Sequence, residues 1–136
     1  MLITLPIGLL VGAFVCDVVF WIRPGDFWAT AAFWALVGGI ATALLAAVVG
    51  LIDFTGDARI RALRDAWEHM VGNLIAVGLA AASVYMRYRF GTTAGVLPWG
   101  IALSGATVLL LAYTGWKGGE MTFRHHVGVI DGPADR

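Results

Sequence analysis

The chain has 136 residues, of which 60% are hydrophobic and 13% charged, with zero net charge and a mean hydropathy of +0.83. A soluble domain carries about 25% charged residues, so this composition points to a lipid bilayer, and the lack of a basic excess excludes a nucleic-acid surface. One domain is expected at this length, and a single cysteine, Cys16, excludes an internal disulfide or a multi-cysteine metal site.

Four apolar runs fill most of the chain, over about 5–22, 27–52, 66–86 and 96–116, followed by a polar tail over 117–136. Each reaches or approaches the roughly 20 residues needed to cross hydrocarbon. Helix is the expected form, because a lone segment in lipid must satisfy its own backbone. The fold class predicted is all-α, an integral membrane bundle of four transmembrane helices with both termini on the same side.

In chain order, the first run lacks a basic n-region, and Asp17, Phe20 and Trp21 stand where a signal-peptide cleavage site needs small residues. It reads as a retained span. Asp17 is the one carboxylate well inside a span. A carboxylate at that depth needs a partner, and Arg23, Arg87 or a backbone donor can supply one, as a structural pair or as part of a proton relay. Arg23-Pro24-Gly25-Asp26 is a turn. The second span is the longest and ends at Asp53, read as interfacial, solvated or capping the next turn.

Thr55-Gly56-Asp57 reads as a helix start, with the third helix beginning near Ala58. On it Arg61, Asp65, His69 and Asn73 recur every four residues and predict one polar stripe, with Glu68 beside it. His69 and Asn73 reach the apolar core, where polar residues face the bundle interior or a cavity. Two readings stand: an interhelical hydrogen-bond clamp, or a ligand or proton site. Arg87-Tyr88-Arg89 marks the far interface, and 91–95 is a short loop.

The fourth span leads into Gly118-Gly119, where the helix is expected to be able to break. Glu120 and Arg124, four apart, pair if that segment is helical. His125 and His126 cannot share one helical face and read as interfacial or exposed. Depth separates them from His69. From Met86, His69 is 17 residues away, about 26 Å, while His125 is 28 residues from Leu97, about 42 Å. A straight fourth helix therefore brings Tyr113 or Thr114 level with His69, and His125 reaches it only if the tail folds back at the two glycines.

Small residues recur every four positions at Gly8, Gly12 and Cys16, at Ala31, Ala35, Gly39, Ala43 and Ala47, and at Gly72, Ala76 and Ala80. Such spacing permits close helix approach, either within the bundle or between copies. Trp21, Trp28, Tyr85, Tyr88 and Trp99 collect near one interface, and Tyr113 and Trp116 near the other, as an aromatic belt does. Arg59, Arg61, Arg64, Lys117, Arg124 and Arg136 lie on one side, against Arg23, Arg87 and Arg89 on the other. That excess predicts cytoplasmic termini in a bacterial inner membrane.

The segments Pro6 to Phe14, Gly50-Leu51-Ile52-Asp53, His69-Met70-Val71-Gly72-Asn73, Gly115 to Glu120 and Arg124-His125 resemble the bacterial four-span membrane family numbered 2231 among the domains of unknown function. The resemblance covers nearly the whole chain. Relatives joined to Rieske iron–sulfur modules imply electron transfer near a quinone or haem. On that implication His69, Asn73, Tyr113 and His125 form a hypothetical haem b site, with His69 as axial ligand and Asn73 orienting it. Many relatives carry a histidine just before the first proline. Leu2-Ile3-Thr4-Leu5-Pro6 has none, which weakens bis-histidine ligation here.

Three functions compete. The first is a non-enzymatic membrane module, self-associating as a homo-oligomer or accessory to a larger membrane complex. The second is a haem- or quinone-linked electron carrier. The third is proton or small-solute permeation. Ser83 and Ser104 lie within spans with no adjacent base, which argues against a hydrolase.

Overall fold

The computed structural model describes residues 3–125, without the side chains of Asp53, Met121 and His125. The described chain is a helical bundle: α1 (Thr4–Ile22), α2 (Asp26–Gly56), the one-turn α3 (Ala58–Arg61), α4 (Arg64–Phe90) and α5 (Ile101–His125). Four of these, counting α5 from Val96, are long and apolar enough to cross a membrane. Four candidate spans, as expected, are therefore present, and α2, α4 and α5 run beyond the apolar runs read from the sequence.

Local chemistry explains the element boundaries. Pro6 sits in the first turn of α1, where a missing N–H leaves no helical bond broken. Arg23 closes α1 by donating its backbone N–H to Val19 O at 2.7 Å, and Pro24-Gly25 stops it. Asp57 caps α3, its carboxylate accepting from the Arg59 amide at 2.8 Å. That amide, and then the Arg59 guanidinium, hold the Asp57 carboxyl below its usual range. The cap is thus complete at neutral pH and is lost only as pH falls through that lowered value. α4 ends at Gly91, whose φ of +98° is a conformation side chains rarely adopt.

The third helix does not run unbroken from Ala58. The chain turns at Ala62 and Leu63 before α4 begins. Arg61 is therefore not on the stripe of Asp65, His69 and Asn73. It turns back to the end of α2, donating to the Phe54 carbonyl at 3.5 Å and to the Thr55 carbonyl. A cation there suits the negative end of a helix dipole. Trp67 completes the corner, donating from its indole to Arg61 O at 3.0 Å and meeting the Phe54 ring edge-on at 4.9 Å.

The bundle consists of two tight helix pairs, α1 with α2 and α4 with α5, joined by α1 against α5 and α2 against α4. Its core is thin. Leu10, Ala13, Leu36 and Ala80 form the centre, with Ile40, Val84 and Leu111 packed against them, and Phe20, Ala29 and Val96 form a second cluster near the α1–α2 turn. Large apolar side chains such as Leu44, Leu45, Leu74 and Leu109 point outward, as they do where lipid replaces water.

Close packing rests on glycine at particular places. A Cβ at Gly39 would lie 2.8 Å from the Leu10 side chain, and one at Gly72 would overlap the Thr114 methyl. The Gly72, Ala76 and Ala80 stripe thus belongs to the intramolecular interface. The α1 stripe does not. Its buried face is Pro6, Leu10, Ala13, Asp17 and Phe20, and a Cβ at Gly8 or Gly12 would meet nothing within 4 Å. Gly72→Leu is expected to cost about 1–3 kcal/mol of overpacking. Gly78→Leu, at a site with nothing within 4 Å, is expected to be near neutral. Reversible unfolding in mixed micelles compares the two.

Candidate functional site

Among the described residues, interior polar groups gather mainly at two levels, both closed by bonds between helices, while Thr107 between them bonds its own helix at Leu103 O. At the α4–α5 turn, Asp17 and Arg87 meet with no side-chain exposure on either partner. Arg87 Nη2 donates to both Asp17 oxygens, at 2.8 and 2.7 Å. Ser104 Oγ donates to Asp17 Oδ2 at 2.7 Å, and Arg87 Nε donates to Ser83 Oγ at 3.4 Å. Arg87 Nη1 is buried with no partner among the described residues. A Cβ at Gly95 would come within 2.7 Å of the Arg87 backbone, and one at Gly100 within 3.0 Å of Nη2, so the returning chain lies directly on the guanidinium.

Of the partners expected for Asp17, Arg87 is the one present. Arg23 is exposed. Ser83 and Ser104, set aside as nucleophiles, are instead hydrogen-bonding members of this network. Ser83 stands one turn before Arg87 on α4, a spacing that could have flagged it.

At the opposite end of α4 the polar stripe meets α5. His69 Nδ1 lies 2.8 Å from Thr114 O. A carbonyl only accepts, so Nδ1 carries the proton. Asn73 Nδ2 donates to His69 Nε2 at 3.0 Å, and Thr114 Oγ1 donates to Asn73 Oδ1 at 3.0 Å. Gly118 makes the approach possible, since a Cβ there would stand 3.1 Å from His69 Cε1. The two glycines therefore do not break α5, which continues as helix to His125. Gly118 is a seat for the imidazole.

Beside this clamp, Lys117 Nζ sits between Asp65 Oδ1 at 2.9 Å and Glu68 Oε2 at 3.0 Å. Arg64 Nε reaches Glu68 Oε1 at 2.7 Å, and Tyr113 donates its hydroxyl to Glu68 Oε2 at 2.8 Å. Thr114, not Tyr113, faces His69; Tyr113 is engaged with Glu68 on the outer side. Glu120 and Arg124 pair at 3.5 Å on the surface of α5. Asp53 lies before the last turn of α2, which runs on to Gly56, and its side chain is outside the described residues. So is that of His125, while His126 falls outside them entirely.

A haem at His69 would need an imidazole lone pair facing an open slot. Nδ1 is held by the Thr114 carbonyl, the Nε2 lone pair is filled by the Asn73 amide, and Gly72 and Gly118 bring α5 directly against this face. Tyr113 faces Glu68, and α5 does not fold back to offer His125. The residues present do not fit an axial-ligand site.

These features define an integral membrane four-helix bundle whose interior polar groups cross-link its helices. A profile of the family described as "Predicted membrane protein (DUF2231)" matches residues 1–131, and the chain belongs to that family. No curated protein and no solved structure matches it.

Two outcomes are expected. Arg87→Met, which leaves the Asp17 carboxylate buried and uncompensated, is expected to cost about 3–5 kcal/mol of stability. Asp17→Leu combined with Arg87→Met should recover most of that loss in the same unfolding assay. Protein purified with haem supplied is expected to show no Soret band that His69→Ala removes.

Proposed function

We propose that the protein is a small, non-enzymatic module of the bacterial inner membrane that assembles with further copies of itself. One observation carries the reading. The Gly8, Gly12 and Cys16 face of α1 has small-residue spacing suited to close helix approach, yet the bundle leaves it unused, with nothing within 4 Å of a Cβ at either glycine. A second fact supports it. The interior groups Asp17, Arg87, His69 and Asn73 are engaged with one another or with Ser104 and Thr114, so they hold the bundle together while the α1 face stays free for lateral contact.

The same reading places both ends of the chain in the cytoplasm. Four crossings return the chain to the side on which it began. The Lys and Arg excess favours the α3 side, and Arg87 is neutralised by Asp17, which leaves Arg23 and Arg89 as the cations opposite, with no ion pair among the described residues.

Subunit counting by photobleaching of labelled protein in lipid nanodiscs or vesicles tests the assembly. More than one copy per particle is expected at low protein-to-lipid ratio. Gly12→Leu is expected to weaken association at least about tenfold, or about 1.4 kcal/mol, without changing helix content. A wild-type protein that is monomeric across the accessible range overturns the reading.

A further inference from the structure

The His69 clamp has a property that an ordinary interior histidine lacks. Nδ1–H is committed to the Thr114 carbonyl, so an added proton enters at Nε2. In the neutral ring Nε2 accepts from Asn73 Nδ2. In the charged ring Nε2–H needs an acceptor, and a half-turn of the same carboxamide presents Oδ1 in place of Nδ2. Asn73 Nδ2 then faces Thr114 Oγ1, which can accept from it. The Thr114 hydroxyl then donates to the Leu111 carbonyl alone, already 3.3 Å away on its own helix. Each bond of the neutral form has a counterpart in the charged form, and no buried polar atom is orphaned.

We infer that His69, Asn73 and Thr114 form a proton-binding site at the mouth of the α4–α5 pair, in which rotation of the Asn73 carboxamide registers the bound proton. The step is the transfer of one proton from hydronium in the aqueous phase to Nε2: one O–H bond breaks, leaving water, one N–H bond forms, and no other covalent bond changes. The titratable and charged groups around it are Arg64, Asp65 and Glu68 on α4 and Tyr113, Lys117 and Glu120 on α5, with Glu120 paired to Arg124. Asp53 on α2 and Arg61 on α3 lie at the same end. Arg64 and Lys117 balance Asp65 and Glu68 through direct contacts. The proton on His69 is therefore added charge at a neutral mouth. The half-buried ring and the Lys117 cluster, with 20–24% exposure at Asp65, Glu68 and Lys117, give it a route from water. The site is independent of the α1 face proposed for assembly.

The test is a pH titration of the full chain in nanodiscs with ¹⁵N-labelled histidine and asparagine, followed by NMR, with His69→Gln and Asn73→Gln used for assignment. The neutral His69 ring is expected to carry its proton on Nδ1. On acidification Nε2 should become protonated, and the Asn73 carboxamide signals should shift with the same midpoint. A neutral ring protonated on Nε2, or an Asn73 carboxamide that does not move as His69 titrates, overturns the inference. The wild-type titration decides it, and sequential assignment of the uniformly labelled wild-type chain identifies the His69 and Asn73 signals if a variant fails to fold.

Discussion

A charged pair with no exposed surface governs the architecture. Arg87 and Asp17 come from helices 70 residues apart in sequence, and neither ion is tolerable alone in a low-dielectric interior. Their meeting fixes the end of α1 against the end of α4. It recruits Ser104 from α5 and requires Gly95 and Gly100 to lie close over the guanidinium. The His69–Asn73–Thr114 clamp does the same at the far end of the α4–α5 pair with neutral groups. Between the two levels stand Leu10, Ala13, Leu36 and Ala80 with Leu111 packed on them, an apolar plug.

Membrane hydrogen bonds are weak individually, averaging about 0.6 kcal/mol in double-mutant cycles. Their role here is geometric. Helices in lipid have no hydrophobic force between them, so register comes from matched shapes and matched polar groups. Gly72 fits the Thr114 methyl and Gly118 fits the His69 ring, while the hydrogen bonds lie along the same contact. A one-residue slip would lose both kinds of match at once.

Much of this was legible before folding, and the exceptions have physical causes. Span positions follow from hydropathy, and the level of Thr114 with His69 follows from rise per residue. Asp17 announced its need for a partner because a lone carboxylate in hydrocarbon is costly. Ser104 gave no such signal, since a serine in a span can bond its own helix, as this one does to Ile101 O at 3.2 Å. Gly118 was ambiguous by nature, because a glycine inside a helix permits either a break or a close approach, and only the neighbouring ring distinguishes them. The turn at Ala62 and Leu63 carries no glycine or proline, so the four-residue spacing of Arg61 with Asp65 continued across a break that only tertiary contacts reveal.

The unequal lengths of α1 and α2 have a mechanical consequence. The apolar part of α2, 27–52, extends about 39 Å at 1.5 Å per residue, against roughly 30 Å of hydrocarbon. Over 5–22, α1 extends about 27 Å. A helix longer than the membrane is thick leans, and one that matches it stands upright. Joined by a turn of only Arg23, Pro24 and Gly25, the two cannot both follow the bilayer normal. Thick membranes would straighten α2 and thin ones would tip it further, so hydrophobic mismatch acts on the molecule as a torque between its first two helices.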